Sequence, residues 1–104
     1  MSFKIDLHCH TEESDGTLSC RALLERAAEQ GVNVLSITDH DTTAAHLEAP
    51  PIAKQLSIQL IPGVEISAAM DNLELHIVAL GIDIDDKPLQ VLLKQNRQAR
   101  KERS

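Results

Sequence analysis

His8 and His10 stand one residue apart at the close of the apolar run Ile5-Asp6-Leu7-His8-Cys9, and acids follow them at Glu12, Glu13 and Asp15. Side chains on a strand alternate in direction, which puts Asp6, His8 and His10 on one face and Ile5, Leu7 and Cys9 on the other. Neutral imidazole is the commonest side-chain ligand of zinc, iron and manganese, and two rings at this spacing converge on one point. Asp6, on the same face, is placed to hydrogen-bond a ring nitrogen and fix its tautomer. An isolated His-x-His also arises by chance on half-exposed strands. Here His40, Glu65 and His76 also fall at or near the ends of strand-like runs, and that recurrence points to one shared metal site.

Each further candidate has a plainer reading beside it. His40 sits between Asp39 and Asp41 at the end of a β-branched run, which suits a ligand flanked by carboxylates that hold its ring, or equally a surface loop. Asp15 lies in Ser14-Asp15-Gly16, ordinary turn chemistry when taken alone. Glu65 is flanked by Val64 and Ile66, and a carboxylate in an apolar strand is costly unless it is paired or bound to a cation. His46 has no partner pattern and reads as a solvated helix residue. Cys9 and Cys20 form no C-x-x-C pair, and with Cys9 facing away from the histidines both read as reduced packing cysteines.

Positioning these groups requires a series of short elements. Residues 3–9 read as the first strand. Leu23, Leu24, Ala27 and Ala28 recur at helical spacing behind Ser19 as N-cap, with Gly31 as the stop. Residues 32–38 form a second strand, and Thr42 or Thr43 caps a second helix running to about Gln55, which Pro50-Pro51 should break or kink. Residues 57–66 read as a third strand, and Leu73 to Leu80 as a fourth. A two-residue turn at Asp71-Asn72 then sets Ser67 opposite His76 and makes Glu65 and His76 diagonal neighbours on one face. Asp85 or Asp86 caps a last helix with Pro88 in its first turn and an apolar stripe of Leu89, Leu92 and Leu93, which continues toward Ser104.

A chain of 104 residues, 42% hydrophobic and with a single aromatic, suits one small domain with a Leu, Ile, Val and Ala core. No apolar run approaches a membrane span and no charged-then-apolar leader is present, so no membrane partner is expected and the cytoplasm is the expected compartment. The formal charge of −6 is uneven: residues 94–104 hold five Lys/Arg against one acid, which leaves −10 for residues 1–93. Such a body repels anions, and a phosphate ester would approach it only after bound cations reverse the local field. Basic stripes with interleaved aromatics, the usual mark of nucleic-acid tracks, are lacking.

In order along the chain, Asp6-Leu7-His8-Cys9-His10-Thr11, Ser14-Asp15-Gly16, Thr38-Asp39-His40-Asp41, the run from Pro62 to Ser67 and the run from Leu75 to Leu80 closely resemble the N-terminal part of the PHP (polymerase and histidinol phosphatase) superfamily. The match is best to small stand-alone members similar to nucleoside 3′,5′-bisphosphate phosphatases, some of which are also 5′-to-3′ exoribonucleases. The fold this resemblance implies is α/β, the N-terminal portion of a distorted (β/α)7 barrel. Its trinuclear metal site lies at the C-terminal ends of the strands, and residues 1–104 form a partial PHP domain. Carried over residue by residue, the resemblance gives His8, His10 and Glu65 to one ion, Asp15 and His40 to a second, and Glu65 and His76 to a third, with Glu65 bridging. Asp39 and Asp41 would stand behind the ligands, as Asp6 would.

The implied cofactors are two or three divalent ions, Mn2+ first and Zn2+ or Fe2+ as alternatives. The implied reaction is hydrolysis of phosphate monoesters on a phosphorylated small molecule or an oligonucleotide end, with Asp15, His40 and Glu65 acting through metal-bound water. Arg97 and Arg100 are candidate phosphate contacts on the last helix, although a solvated helix end is the preferred account of them. A full barrel needs about 250 residues, and the family's later histidine and closing Asp-x-His have no counterpart after His76. The expectation is therefore a piece of a longer enzyme, with open sheet edges that favour self-association. Histidinol-phosphate phosphatase and a non-catalytic metal-binding module are the alternatives.

Overall fold

The computed structural model describes residues 3–103, so the expectation for the chain end at Ser104 lies outside the described residues. Eight elements follow in order: β1 (Ile5–Cys9), α1 (Cys20–Glu29), β2 (Val34–Ile37), α2 (Ala45–Gln55), β3 (Gln59–Leu60), β4 (Gly63–Met70), β5 (Leu73–Leu80) and α3 (Lys87–Arg103). The architecture is α/β, as the sequence implied. Strands β1, β2 and β3 form a parallel sheet in that order, and β4 and β5 form an antiparallel hairpin.

Strand β2 is central and buried on both faces. Leu35 and Ile37 point at the two helices, where Leu24 and Ala27 of α1 meet Ala45, Ala49, Ile52 and Ala53 of α2. Each fully buried Leu or Ile of this core contributes about 1.5–3 kcal/mol. Ser36 and Thr38, both fully buried, line the opposite face. There the backbone of β4 comes so close that a Cβ on Gly63 would collide with the Ser36 hydroxyl and lie 3.0 Å from the Thr38 methyl. A glycine at this point lets the hairpin dock against the sheet.

Helix α1 has the caps its sequence predicts. The Ser19 hydroxyl accepts the Ala22 N–H at 3.1 Å. Gly31 takes φ +81° while Val32 N–H donates to the Ala27 carbonyl at 2.9 Å, closing the helix with a left-handed residue where glycine costs least. Helix α2 departs from expectation twice. It runs unbroken through Pro50 and Pro51, and its N-cap is Ala44, with no side-chain cap. The Thr42 hydroxyl instead accepts the Ala44 N–H at 3.2 Å, one residue ahead of the helix. Both prolines fall at the middle of the helix, so it forgoes two internal donors there, and its buried stripe of Ala45, Ala49, Ile52 and Ala53 carries it on.

The expected third strand is two strands. Ile61 N–H makes a last bond to the Leu35 carbonyl at 2.9 Å, and Pro62, which has no N–H to give, marks the transfer of the chain from the parallel sheet to the hairpin. The hairpin itself has the expected register, Ser67 opposite His76, with Asp71 and Asn72 both left-handed at φ 50° and 68°. In β1, a register shift between Asp6 and Cys9 and its position at the sheet edge leave Ile5 57% exposed, although its face was expected to be core. In α3, Asp86 caps the first turn by accepting Leu89 N–H at 3.0 Å, Leu93 is buried, and Leu92 is exposed. The inward stripe continues instead through Asn96, Arg97 and Arg100. No helix among the described residues is long and apolar enough to cross a membrane.

Candidate metal centre

Four imidazoles meet one carboxylate. Glu65, on β4 and nearly buried, has Oε1 2.7 Å from His8 Nε2 and 3.1 Å from His10 Nε2, while Oε2 is 3.3 Å from His40 Nδ1 and 3.2 Å from His76 Nδ1. The carboxylates of Asp15 and Glu65 bracket two of these rings. Asp15 Oδ1 lies 2.6 Å from His10 Nδ1 and Oδ2 lies 3.0 Å from His40 Nε2.

The six members are delivered by five pieces of the fold. His8 and His10 come from the end of β1, and His76 comes from β5 through the hairpin register. Asp15 sits on a loop that folds on itself, with Gly16 N–H donating to the Thr11 carbonyl at 2.9 Å. Gly16 has to be glycine there, because a Cβ would lie 2.5 Å from the His10 carbonyl oxygen. His40 follows β2 and pairs with Glu65 in a parallel bridge. The backbone holds that bridge on both sides, Glu65 N–H to the Asp39 carbonyl at 3.0 Å and Asp41 N–H to the Glu65 carbonyl at 2.9 Å.

Charge argues that this cluster is built for cations. The rings stand in a row, with centroids 5.2 Å apart for His8 and His10, 4.5 Å for His10 and His40, and 5.2 Å for His40 and His76. Four imidazolium charges so close would repel one another, with Glu65 and Asp15 between them and Glu74 3.7 Å from the outer nitrogen of His76. Burial works to raise the Glu65 carboxyl, yet the His8 hydrogen bond, the His40 charge and the His10 contacts outweigh it and hold the group below its ordinary range. Asp15 follows the same balance, burial against His10 and His40, and is likewise held low. His40 Nδ1 is buried without a hydrogen-bond partner, a lone-pair position that a metal ion would use. Three sets of ligand atoms lie within 4.8 Å of one another: His8, His10 and Glu65; His10, Asp15 and His40; His40, Glu65 and His76. Imidazole nitrogen with carboxylate oxygen is a donor set for Mn, Fe or Zn, and the residues therefore fit such ions.

Several expected supporting roles are redirected. Asp6 accepts the His8 backbone N–H at 3.1 Å instead of a ring N–H. Asp39 accepts from Thr11 N–H and the Thr11 hydroxyl, both at 2.6 Å, and from the Ser14 hydroxyl at 2.9 Å. Asp41 accepts from Ser67 N–H at 2.9 Å, Asn96 Nδ2 at 2.9 Å and Arg100 at 2.5 Å. These carboxylates thus anchor backbone and neighbouring elements, and the imidazoles are aimed by that scaffold. Arg97 and Arg100 are no solvated helix end: Arg97 donates to the Asp41 carbonyl at 2.7 Å and Arg100 also reaches the Ser67 hydroxyl at 2.9 Å. His46, expected in solvent, is buried with Nε2 2.7 Å from the Ile37 carbonyl, and burial lowers its pKa.

Thr11, Ser67 and Asn96 were not singled out in the sequence. Asn96 carried a signal, since it falls on the helical stripe that begins at Leu93; Thr11 and Ser67 close two of the runs that carry the family resemblance, and nothing local gave them their partners. The cysteines stand apart from the cluster. Cys9 Sγ donates to the Ser36 carbonyl at 3.2 Å, and burial together with Asp6 and Asp39 pushes its thiol up to about 12. Burial likewise pushes Cys20 up to about 11, which leaves both thiols protonated and unreactive at neutral pH.

Known proteins resemble this chain in sequence and fold. The family model described as PHP domain matches residues 6–102. The chain is 48% identical over 101 residues to the 5′-3′ exoribonuclease Rnm of Escherichia coli, covering 95% of this chain and 34% of that protein. It is 40% identical over 100 residues to the 3′,5′-nucleoside bisphosphate phosphatase of Chromobacterium violaceum, covering 96% of this chain and 35% of that one. Among solved structures, a predicted metal-dependent phosphoesterase from Bifidobacterium adolescentis superposes with TM-score 0.90 at 34% identity, over 99% of this chain and 36% of the other. The chain thus spans about a third of the length of these relatives.

Proposed function

The chain belongs to the PHP domain family, and on that premise we propose that it carries the metal-binding part of a phosphoesterase that hydrolyses phosphate monoesters of nucleotides or of oligonucleotide ends. One observation carries the reading: four imidazoles and Asp15 converge on the single carboxylate of Glu65. The names of the relatives favour nucleotide substrates over histidinol phosphate.

The lone-pair count supports a particular allocation of ligands. A neutral imidazole offers one acceptor nitrogen, whereas His10 and His40 each belong to two of the three ligand sets. Using each ring once gives His8, His10 and Glu65 to one ion, Asp15 and His40 to another, and His76 with Glu65 to a third. His10 would then offer Nε2 to the ion and donate its Nδ1–H to Asp15. Bound divalent cations, with manganese the first candidate, supply positive charge for the phosphate oxygens and activation of water.

The chain's own residues do the rest. Glu65 and Asp15 remain ionised at neutral pH and hold the negative charge that retains cations beside four rings. The attacking group in this reading is water, because no serine or cysteine stands beside a base that would activate it: the Ser14 hydroxyl bonds the carboxylates of Asp39 at 2.9 Å and Asp15 at 3.5 Å, and the Cys9 thiol faces the sheet. Manganese titration of the purified chain, followed by phosphate release from a nucleoside 3′,5′-bisphosphate and from histidinol phosphate, tests the proposal. Uptake with preference for the bisphosphate is the expected result. Preference for histidinol phosphate would move the substrate assignment, and uptake with no turnover of either would make the chain a metal-binding module.

A further inference from the structure

Asp41 lies one residue beyond His40 in a backbone conformation, φ +54°, that only Gly, Asn and Asp adopt cheaply. Its carboxylate is fully buried, where an unpaired charge costs several kcal/mol. Three donors from two elements satisfy it, Ser67 N–H of β4 and the Asn96 and Arg100 side chains of α3, and its own carbonyl accepts from Arg97. Asn96 and Arg100 also reach Ser67, at its carbonyl and its hydroxyl, each at 2.9 Å. Asn96, Arg97 and Arg100 fall at three- and four-residue spacing on one face of the helix, in line with buried Leu93. The polar stripe that breaks the apolar pattern of α3 is thus the surface by which the helix docks.

We propose that Asp41, Asn96 and Arg100 are positioning residues for His40: they clamp α3 and β4 onto the turn that presents its imidazole, so that docking of α3 fixes the ring between Asp15 and Glu65. The turn has a second clamp on its other side, where Asp39 takes Thr11 and Ser14 of the loop that carries Asp15. With the Asp41 clamp loosened, His40 rotates out of reach of both carboxylates, and the two ligand sets that contain it lose a member. The set of His8, His10 and Glu65 keeps all of its groups. This inference rests on the metal-centre reading for its consequence and on the contacts alone for its geometry.

The test compares the wild-type chain with Arg100→Leu, Asn96→Leu and Arg100→Lys, with Lys94→Leu as a control on the same helix. Manganese(II) is titrated by calorimetry, and the histidine ring nitrogens of the metal-free chain are recorded by 15N NMR. Arg100→Leu and Asn96→Leu are expected to weaken uptake about 10- to 100-fold at the sites that need His40, with one class of site retained. Their His40 ring resonances shift while those of His8 stay in place, Arg100→Lys recovers part of the affinity, and Lys94→Leu matches wild type. Unchanged affinity together with unmoved His40 resonances in folded Arg100→Leu and Asn96→Leu would overturn the clamp. If Arg100→Leu does not fold, Arg100→Lys and Asn96→Leu decide by the same two readings. A wild-type chain that takes up no manganese would sink the metal-centre reading, and the metal-free spectra would still decide the clamp.

Discussion

At the scale of single residues, Glu65 differs from every other member of the cluster because all four rings touch it. Glu65→Gln keeps its volume and removes its charge, so manganese affinity is expected to fall by more than the roughly 10- to 100-fold that loss of an outer partner costs, at every site that shares it. His8→Ala should weaken only the set it belongs to, and calorimetric titration reads the difference. His46 gives a prediction about stability instead. Burial lowers its folded-state pKa, so the folded chain prefers the neutral ring. Its contribution is complete above the unfolded value of about 6.5 and declines as pH falls from there through the lowered folded value. His46→Leu should lower stability at pH 8 by about 1–3 kcal/mol, since the Ile37 carbonyl loses its donor. The variant should then lose less than wild type between pH 7 and pH 5 in urea unfolding. An equal loss in both proteins would remove His46 from the account.

At the scale of elements, the site depends on two tight pieces of backbone. Gly16→Ala would drive a Cβ against the His10 carbonyl, where the nearest atoms are backbone and cannot rotate away. The loop must then shift, which moves Asp15 from its 2.6 Å contact with His10. A loss of about 1–3 kcal/mol is expected, along with weaker metal uptake at the sites that use Asp15, and the two are measured separately by urea unfolding and titration. The hairpin turn holds Asp71 and Asn72 in the left-handed region. Asn72→Val should cost about 1–2 kcal/mol there and broaden the His76 ring resonances as the register loosens, whereas Asn72→Gly should leave both unchanged or improved. Sequence reading worked best at this scale for the caps of α1 and α3, the turn and the hairpin register, which are local, and less well for α2, whose cap and prolines did not behave as read. It failed at Pro62, where one apolar run from Ser57 to Ile66 hides a switch of sheet, since periodicity reports burial and not the identity of the neighbouring strand.

Across the whole molecule, the candidate ligands were legible and their supports were not. His8, His10, Glu65 and His76 interrupt apolar strands, and a polar group at such a position announces itself. Asp39, Asp41, Arg97 and Arg100 sit where acids and bases are common, and their partners lie 25 to 59 positions away, out of reach of any local pattern. The same limit applies to the outer face of the hairpin. The register places Leu73, Leu75 and Ile77 on the face opposite Glu65 and His76, and they are 65%, 40% and 52% exposed. Among the described residues β5 also pairs with β4 alone. An apolar face beside an open edge invites a second copy of the chain to pair along β5 and cover it. The isolated chain is therefore expected to associate with rising concentration in sedimentation equilibrium. Ile77→Lys and Leu75→Lys, each placing a charge on that face and away from the histidines, should shift the distribution toward monomer while manganese uptake stays as in wild type. A chain that remains monomeric at all concentrations, or lysine variants that associate as wild type does, would show that this face is not the one that drives association.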